Sequence, residues 1–119
     1  MNMIFTLKQL RLVMVRILVA VVVVLFAFPA AAQSFNCGGR LNASEQAVCA
    51  SQELSSWDVQ VAQMYGKLRY SGDGRKREAA LRSQRAFLAR RNRCGGNFVC
   101  ILNAYEAQAG ALNGIRKAF

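Results

Sequence analysis

The chain has 119 residues, with 16 Lys and Arg, 6 Asp and Glu and no histidine, which gives a net charge of +10. The length limits the chain to one or two small domains. The lack of histidine excludes the commonest catalytic base and metal ligand. So basic a chain favours anionic partners over cationic ones.

The first 32 residues are organised like a signal peptide. Its features are a positive leader, an apolar run and small residues before a cleavage point: Lys8, Arg11 and Arg16; ILVAVVVVLFAF at positions 17–28; and Ala30 and Ala32. This order predicts cleavage between Ala32 and Gln33. Because a bilayer span takes roughly 20 apolar residues, the run is short for a membrane helix. An uncleaved N-terminal anchor remains the alternative.

The predicted mature domain, residues 33–119, carries thirteen basic and six acidic residues, a net charge of +7. We expect this domain to be exported from a bacterial cell, to the periplasm or outside it, with no stable membrane span after cleavage. A single domain of this size buries a limited fraction of its surface and often needs covalent stabilisation. The four cysteines, all in this part of the chain, are the obvious source.

The spacing of the cysteines favours two local disulfides, Cys37 with Cys49 and Cys94 with Cys100. Each pair encloses turn-forming residues, GGRLNAS and GGN, although four cysteines formally allow three connectivities. A zinc site is disfavoured because there is no histidine and neither gap matches a zinc knuckle. The arginines in RRNRC would lower the pKa of a free thiol, but no base for a nucleophile is apparent. The cysteines are therefore predicted to be structural.

The mature domain shows helical periodicity and no useful strand alternation. A capping box with Asn42 and Glu45 begins a short helix, and Ser51 caps a second one. SGDG at positions 71–74 ends this helix, and a third runs from about Lys76 to Arg93. CGGN ends the third helix, with Gly95 or Gly96 suited to the left-handed turn beyond it, and a fourth begins near Phe98. The predicted inward positions of the three long helices are, in order: Leu54, Trp57, Val61, Met64 and Leu68; Ala80, Leu81, Phe87 and Leu88; and Phe98, Leu102, Tyr105, Ala109 and Leu112. The predicted fold is all-α, a small disulfide-stapled bundle made of a helical hairpin and a third long helix.

Three polar residues, Asp58, Gln84 and Arg91, fall near the inward helix faces. Because a buried charge is costly unless paired, we expect Asp58 and Arg91 to meet across the hairpin and Gln84 to complete the network. A ligand-binding or catalytic role is the functional alternative. A structural network that fixes helix register is favoured over it.

The order of these features resembles the lysozyme inhibitor LprI-like N-terminal-domain family. The residues that carry the resemblance are Cys37, SEQAVC ending at Cys49, ELSSWD at 53–58, Tyr65, QRAFLARRNRC at 84–94, and CILNAY at 100–105. They span nearly the whole mature domain. The resemblance implies a secreted helical domain that inhibits lysozyme by protein contact.

Charge bears on that implied function in two ways. Animal lysozymes are basic, so a domain at +7 is repelled on approach. Their clefts, however, carry two catalytic carboxylates, which one or two arginines from the set Arg40, Arg90, Arg91 and Arg93 would pair with. Lysozyme therefore stays the leading candidate partner.

The competing hypothesis is a basic surface that binds an anionic envelope polymer or surface: lipopolysaccharide, peptidoglycan or lipid head groups. Its candidate residues, which are also the candidates for contact with any anionic partner, are Arg75, Lys76, Arg77, Arg90 and Arg93. A solvated face that only maintains solubility is the simpler alternative. Nucleic acid is not expected, because the aromatic residues are needed in the core and leave no stacking surface.

No enzyme, cofactor or metal is predicted. The six acids are scattered, and the sequence has no Gly-rich phosphate loop and no Ser-x-x-Lys arrangement, so the usual catalytic patterns are missing.

Overall fold

A computed structural model describes residues 2–25 and 34–119 of the chain. Across these residues the regular structure consists of five helices: α1 (Asn2–Leu25), α2 (Ala43–Ala50), α3 (Gln52–Arg69), α4 (Gly74–Arg93) and α5 (Phe98–Ala118). The prediction of an all-α, disulfide-stapled fold is confirmed. The chain divides into two compact units, residues 1–30 and 31–119, and the second contains α2 to α5.

The first unit is built around α1, which includes the positive leader and the start of the apolar run. Among the described residues, no helix combines the length and the apolar character that crossing a membrane requires. The predicted cleavage site between Ala32 and Gln33 lies outside the described residues.

Side-chain caps fix where the helices of the second unit begin. Asn42 and Glu45 form the predicted capping box at α2, and Ser51 accepts the Leu54 N–H at the start of α3. The sequence placed the start of α4 at about Lys76, two residues too late. The Asp73 carboxylate accepts the Arg75 N–H and thereby starts the helix at Gly74, because a capped N–H no longer needs water.

The three long helices pack against one another, and α2 packs on α3 and α4. Short connections at residues 70–73 and 94–97 reverse the chain, so α3, α4 and α5 alternate in direction. Gly95 has a φ of 57°, the left-handed conformation predicted for this turn. The shared core consists of Val48, Leu54, Val61, Leu68, Ala80, Phe87, Ile101, Ala104, Tyr105 and Leu112.

The predicted inward face of α5 was partly wrong. Tyr105 and Leu112 are buried as expected, but Phe98 is 41% exposed and Ile101 is buried in the core. The reason is a buried polar residue, Gln108, whose hydrogen bonds to α4 turn the helix toward the side that carries it. Apolar spacing alone does not predict such a residue on a buried face.

Both predicted disulfides are confirmed, Cys37–Cys49 and Cys94–Cys100, and the sequence has no further cysteine. The first closes the loop before α2 onto the end of that helix. The second closes the turn between α4 and α5. Both lie at the same end of the second unit, because the Ser44 hydroxyl of α2 lies 2.7 Å from the carbonyl oxygens of both Arg91 and Gly95 and shares its single proton between them.

Candidate functional site

The carboxylate of Asp58 is the centre of a buried polar cluster. It lies on the inner face of α3, and the Tyr105 hydroxyl donates to its Oδ1 at 2.9 Å. The segment that precedes α2 covers the same carboxylate. In it, the Ser34 backbone N–H donates to Oδ2 at 2.6 Å and the Ser34 hydroxyl donates to Oδ1 at 2.9 Å. Asp58 thus joins α3, α5 and the start of the second unit.

Arg91 brings a positive charge to this cluster from α4. Its side chain is buried, and Nη1 lies 3.8 Å from Asp58 Oδ1 while donating to the Tyr105 hydroxyl at 3.4 Å. The guanidinium carbon lies 5.3 Å from the ring centroid of Phe35 and 5.9 Å from that of Phe87. Two aromatic faces and an ion pair therefore offset the cost of burying this charge.

The cluster is suited to structural support more than to proton transfer. Burial raises the pKa of the Tyr105 hydroxyl far above its ordinary value, and the negative charge of Asp58 raises it further. A tyrosine held in its neutral form donates a hydrogen bond but is a poor acid or base near neutral pH. Within the described residues, no buried side-chain polar atom lacks a hydrogen-bond partner, which is the condition a stabilising buried network has to meet.

The structure brings Asp58 and Arg91 together but places Gln84 in a separate network. The Gln108 amide donates to Gln84 Oε1 at 3.0 Å, and the Ser83 hydroxyl donates to Gln108 Oε1 at 3.1 Å. The hydrogen-bond partner of the Gln84 side chain therefore comes from α5, whereas Asp58 lies on α3. This second network ties α4 to α5.

Sequence reasoning missed three members of these networks: Ser34, Ser44 and Gln108. Each bonds to residues at least 24 positions away, so local spacing carries no signal for them. For Tyr105 the sequence contained a partial signal of its place in the network. Its position on the predicted inward face of α5 implied a buried hydroxyl, and a buried hydroxyl needs a hydrogen-bond partner.

A groove of about 600 Å³ opens beside the cluster. It lies between α3, α4 and the segment that precedes α2. Its lining includes Phe35, Tyr65, Leu81, Leu88, Glu45, Gln84, Arg85, Arg91 and Asn92. Apolar walls with a few convergent polar groups are typical of ligand and peptide sites. Arg85 is exposed at this groove and adds a positive charge to its rim.

The five candidate basic residues fall at two separate ends of α4. Arg75, Lys76 and Arg77 lie in its first turn, and Arg90 and Arg93 in its last. Arg90 lies fifteen positions after Arg75, which corresponds to about 22 Å along the helix axis. The structure therefore divides the five residues between two surfaces and does not unite them in the single basic surface that the sequence predicted.

Arg90 and Arg93 belong to a surface that we call the stapled end, defined by Arg90, Arg93, Phe98 and Val99 around the Cys94–Cys100 disulfide. All four side chains are exposed, with Phe98 41% and Val99 62% accessible. The disulfide holds the end of α4 against the start of α5. Two cations and two apolar groups are thus presented on a cross-linked turn.

Comparison with protein families finds one matching description, lysozyme inhibitor LprI, over residues 37–98. The match covers just over half of the chain, from the first cysteine to the first residue of α5. Comparison with curated proteins and with solved structures finds no match.

Proposed function

Because the chain belongs to the lysozyme inhibitor LprI family, we propose that it is an exported binding protein that inhibits lysozyme by protein–protein contact. The family match over residues 37–98 is the observation that carries this proposal. The two disulfides support export, because such bonds persist in oxidising compartments outside the cytoplasm. The predicted signal peptide, residues 1–32, supplies the route, and periplasmic or secreted is the proposed location.

The stapled end is the surface that we propose contacts lysozyme. Arginine and aromatic side chains supply most of the strong contacts at protein interfaces, and this end exposes Arg90, Arg93 and Phe98 together. The Cys94–Cys100 disulfide limits the conformations of the turn before binding. Less conformational entropy is then lost when a partner binds.

Arginines at this end suit a cleft that holds two carboxylates. Arg91, which the sequence analysis grouped with them, is 3% exposed and held beside Asp58, so it does not enter the proposed interface. Arg90 and Arg93 have exposed side chains and take that role.

The repulsion expected between the basic domain and a basic lysozyme is weaker when the stapled end faces the lysozyme. Seven of the thirteen basic residues of the mature domain lie in or beside the last turn of α3, the first turn of α4 and the last turn of α5. These segments are at the end of the bundle away from Arg90 and Arg93. The length of α4, about 30 Å, exceeds the Debye length of about 8 Å at physiological salt, so most of that charge is screened from a partner at the stapled end.

The test is lysozyme turnover of peptidoglycan in the presence of excess oxidised residues 33–119, at low and at physiological salt. This fragment holds the whole core and both disulfides. We expect inhibition that persists at physiological salt. The double variant Arg90→Glu, Arg93→Glu is expected to weaken inhibition at least tenfold, because charge reversal places like charges against the cleft.

A matched control makes the same charge change at the other end, as Arg69→Glu, Lys117→Glu, and is expected to inhibit like the unsubstituted domain. No inhibition at either salt would refute the function. Equal loss in both variants would refute the stapled end as the interface and would instead show that net charge governs the effect.

A further inference from the structure

Positive charge is concentrated at one end of the second unit. We call this surface the cationic end, defined by Lys67, Arg69, Tyr70, Arg75, Lys76, Arg77, Arg116, Lys117 and Phe119. It holds seven basic residues, whereas the same segments, residues 67–78 and 114–119, contain only two acids, Asp73 and Glu78. It therefore carries most of the domain's net charge of +7.

Three helices build this end together. Because α3, α4 and α5 alternate in direction, the end of α3, the start of α4 and the end of α5 meet there. The guanidinium carbon of Arg75 lies 5.4 Å from the ring centroid of Phe119, which places the start of α4 beside the end of α5. The basic residues thus form one surface although they are distant in sequence.

The two acids at this end are already engaged. Asp73 accepts the Arg75 N–H as the cap of α4 and lies 3.9 Å from the Arg75 side chain. Glu78 pairs with Arg82 at 3.5 Å, one helical turn further along. These contacts leave a large excess of positive charge on the surface.

Helix stability explains only part of this arrangement. Bases in the last turns of α3 and α5 complement the negative ends of those helix dipoles. The first turn of α4 has the opposite arrangement, with Arg75, Lys76 and Arg77 at the positive end and no acid inside the helix turn. Arg77 is held there by donating from Nη1 to the Ser71 carbonyl at 2.6 Å. Arg75 and Lys76 oppose the dipole, so their position is better explained by an external anion.

Two aromatic side chains are exposed among these charges, so the prediction that the core takes up the aromatic residues was wrong for them. Tyr70 is 89% accessible and Phe119 is 46% accessible. Aromatic side chains flanked by Lys and Arg are characteristic of surfaces that lie at the head-group level of a bilayer. A soluble polyanion would use the cations but would gain little from the exposed rings.

We infer that the cationic end docks on a membrane surface rich in anionic phospholipid, with the lipid phosphates facing the basic residues and Tyr70 and Phe119 at the head-group level. The stapled end then points away from the membrane. This inference does not rest on lysozyme inhibition, since it concerns the opposite surface. Each basic residue near such a surface strengthens binding about fivefold.

The test measures partition of oxidised residues 33–119 onto phosphatidylglycerol–phosphatidylcholine vesicles, with pure phosphatidylcholine vesicles as the neutral reference. The variant Lys67→Gln, Arg69→Gln, Lys76→Gln, Lys117→Gln removes four charges from the cationic end. The matched control Arg40→Gln, Arg85→Gln, Arg90→Gln, Arg93→Gln removes four exposed charges elsewhere. Both variants have the same net charge, and far-UV circular dichroism with a free-thiol assay checks that each is folded and oxidised.

We expect the cationic-end variant to partition at least tenfold more weakly than the control onto the anionic vesicles. Equal loss in the two variants would overturn the inference, because net charge and not a defined surface would then govern binding. Equal partition of the unsubstituted domain onto anionic and neutral vesicles would also overturn it.

A further variant, Tyr70→Ser, separates lipid from soluble polyanion. We expect it to bind the vesicles severalfold more weakly and soluble polyphosphate unchanged, because only the bilayer interface accommodates the ring. Unchanged vesicle binding, or binding of polyphosphate without binding of vesicles, would overturn the assignment to a lipid surface.

Discussion

The two ends of the helical domain are built in different ways. The end where α4 passes into α5 is fixed by two disulfides, by the Ser44 bonds to the turn and by the ion pair between Asp58 and Arg91. At the cationic end the helices are joined by a short turn and by exposed contacts such as that of Arg75 with Phe119. Specific long-range bonds are thus concentrated at one end and net charge at the other.

This difference separates the residues that determine the fold from those free to determine a partner. Substitution of a cross-linked or buried residue alters stability first, whereas substitution of an exposed charge alters binding with little effect on folding. The two ends can therefore be tested independently. The expected effects on stability decrease from the buried ion pair to the cationic end.

Arg91→Met is expected to lower the free energy of unfolding by about 3–5 kcal/mol, because it leaves the Asp58 carboxylate buried without its cation. Urea unfolding followed by the fluorescence of Trp57, the only tryptophan, measures this. Arg85→Met, on an exposed position of the same helix, is the control and should change stability by less than about 0.5 kcal/mol. Similar values for the two variants would contradict the structural role assigned to Arg91.

Removing the disulfides is expected to have the next largest effect. Replacing Cys37 and Cys49 by serine should cost about 3 kcal/mol, and replacing Cys94 and Cys100 about 2 kcal/mol, because the first pair closes the longer loop, 12 residues against 6. Thermal and urea unfolding of the two double variants give the comparison. The reverse order would show that loop length does not determine their contributions.

Tyr105→Phe is expected to cost about 1.5 kcal/mol, since it removes a buried hydrogen bond to a carboxylate. It should also change the response to alkali. The raised pKa of Tyr105 means that the unfolded chain loses this proton near pH 10 while the folded chain keeps it, so stability falls as pH rises above that value.

The measurement is the free energy of unfolding between pH 8 and 11 for both proteins. We expect the fall to be shallower in Tyr105→Phe, which lacks the group that releases its proton on unfolding. Parallel curves would show that Tyr105 titrates alike in the folded and unfolded chains.

The smallest effect is expected at the cationic end. The variant Lys67→Gln, Arg69→Gln, Lys76→Gln, Lys117→Gln should change the free energy of unfolding by less than about 1 kcal/mol, because surface substitutions are individually small and removal of like charges offsets lost helix-dipole contacts. The free energy of unfolding of the variant and of the unsubstituted domain, compared at low and at high salt, tests this. A loss as large as that of Arg91→Met would contradict the division between the two ends.

The features that could be predicted from the sequence are those determined within a few residues. The capping box at Asn42, the helix start after Ser51, the left-handed turn at Gly95 and the local disulfide pairs all depend on neighbours along the chain. Helical spacing also placed Asp58 and Arg91 on inward faces. Opposite charges that are both buried have to pair, which made their meeting predictable.

The remaining features depend on how the helices rotate against one another. The burial of Gln108 and exposure of Phe98 follow from hydrogen bonds between α4 and α5, and the cover over Asp58 comes from Ser34, 24 residues earlier. Predicting that seven cations gather at one end would have required the directions of the helices and the position of the end of α5. Periodicity within one segment contains none of this information.

The connectivity of the two disulfides has a consequence for biosynthesis. Each cysteine is bonded to the next one in the sequence, Cys37 to Cys49 and Cys94 to Cys100. A chain that emerges from its N-terminus exposes both members of the first pair before either member of the second. Joining the thiols in the order of their arrival therefore gives the native pairs, so this connectivity by itself requires no reshuffling step.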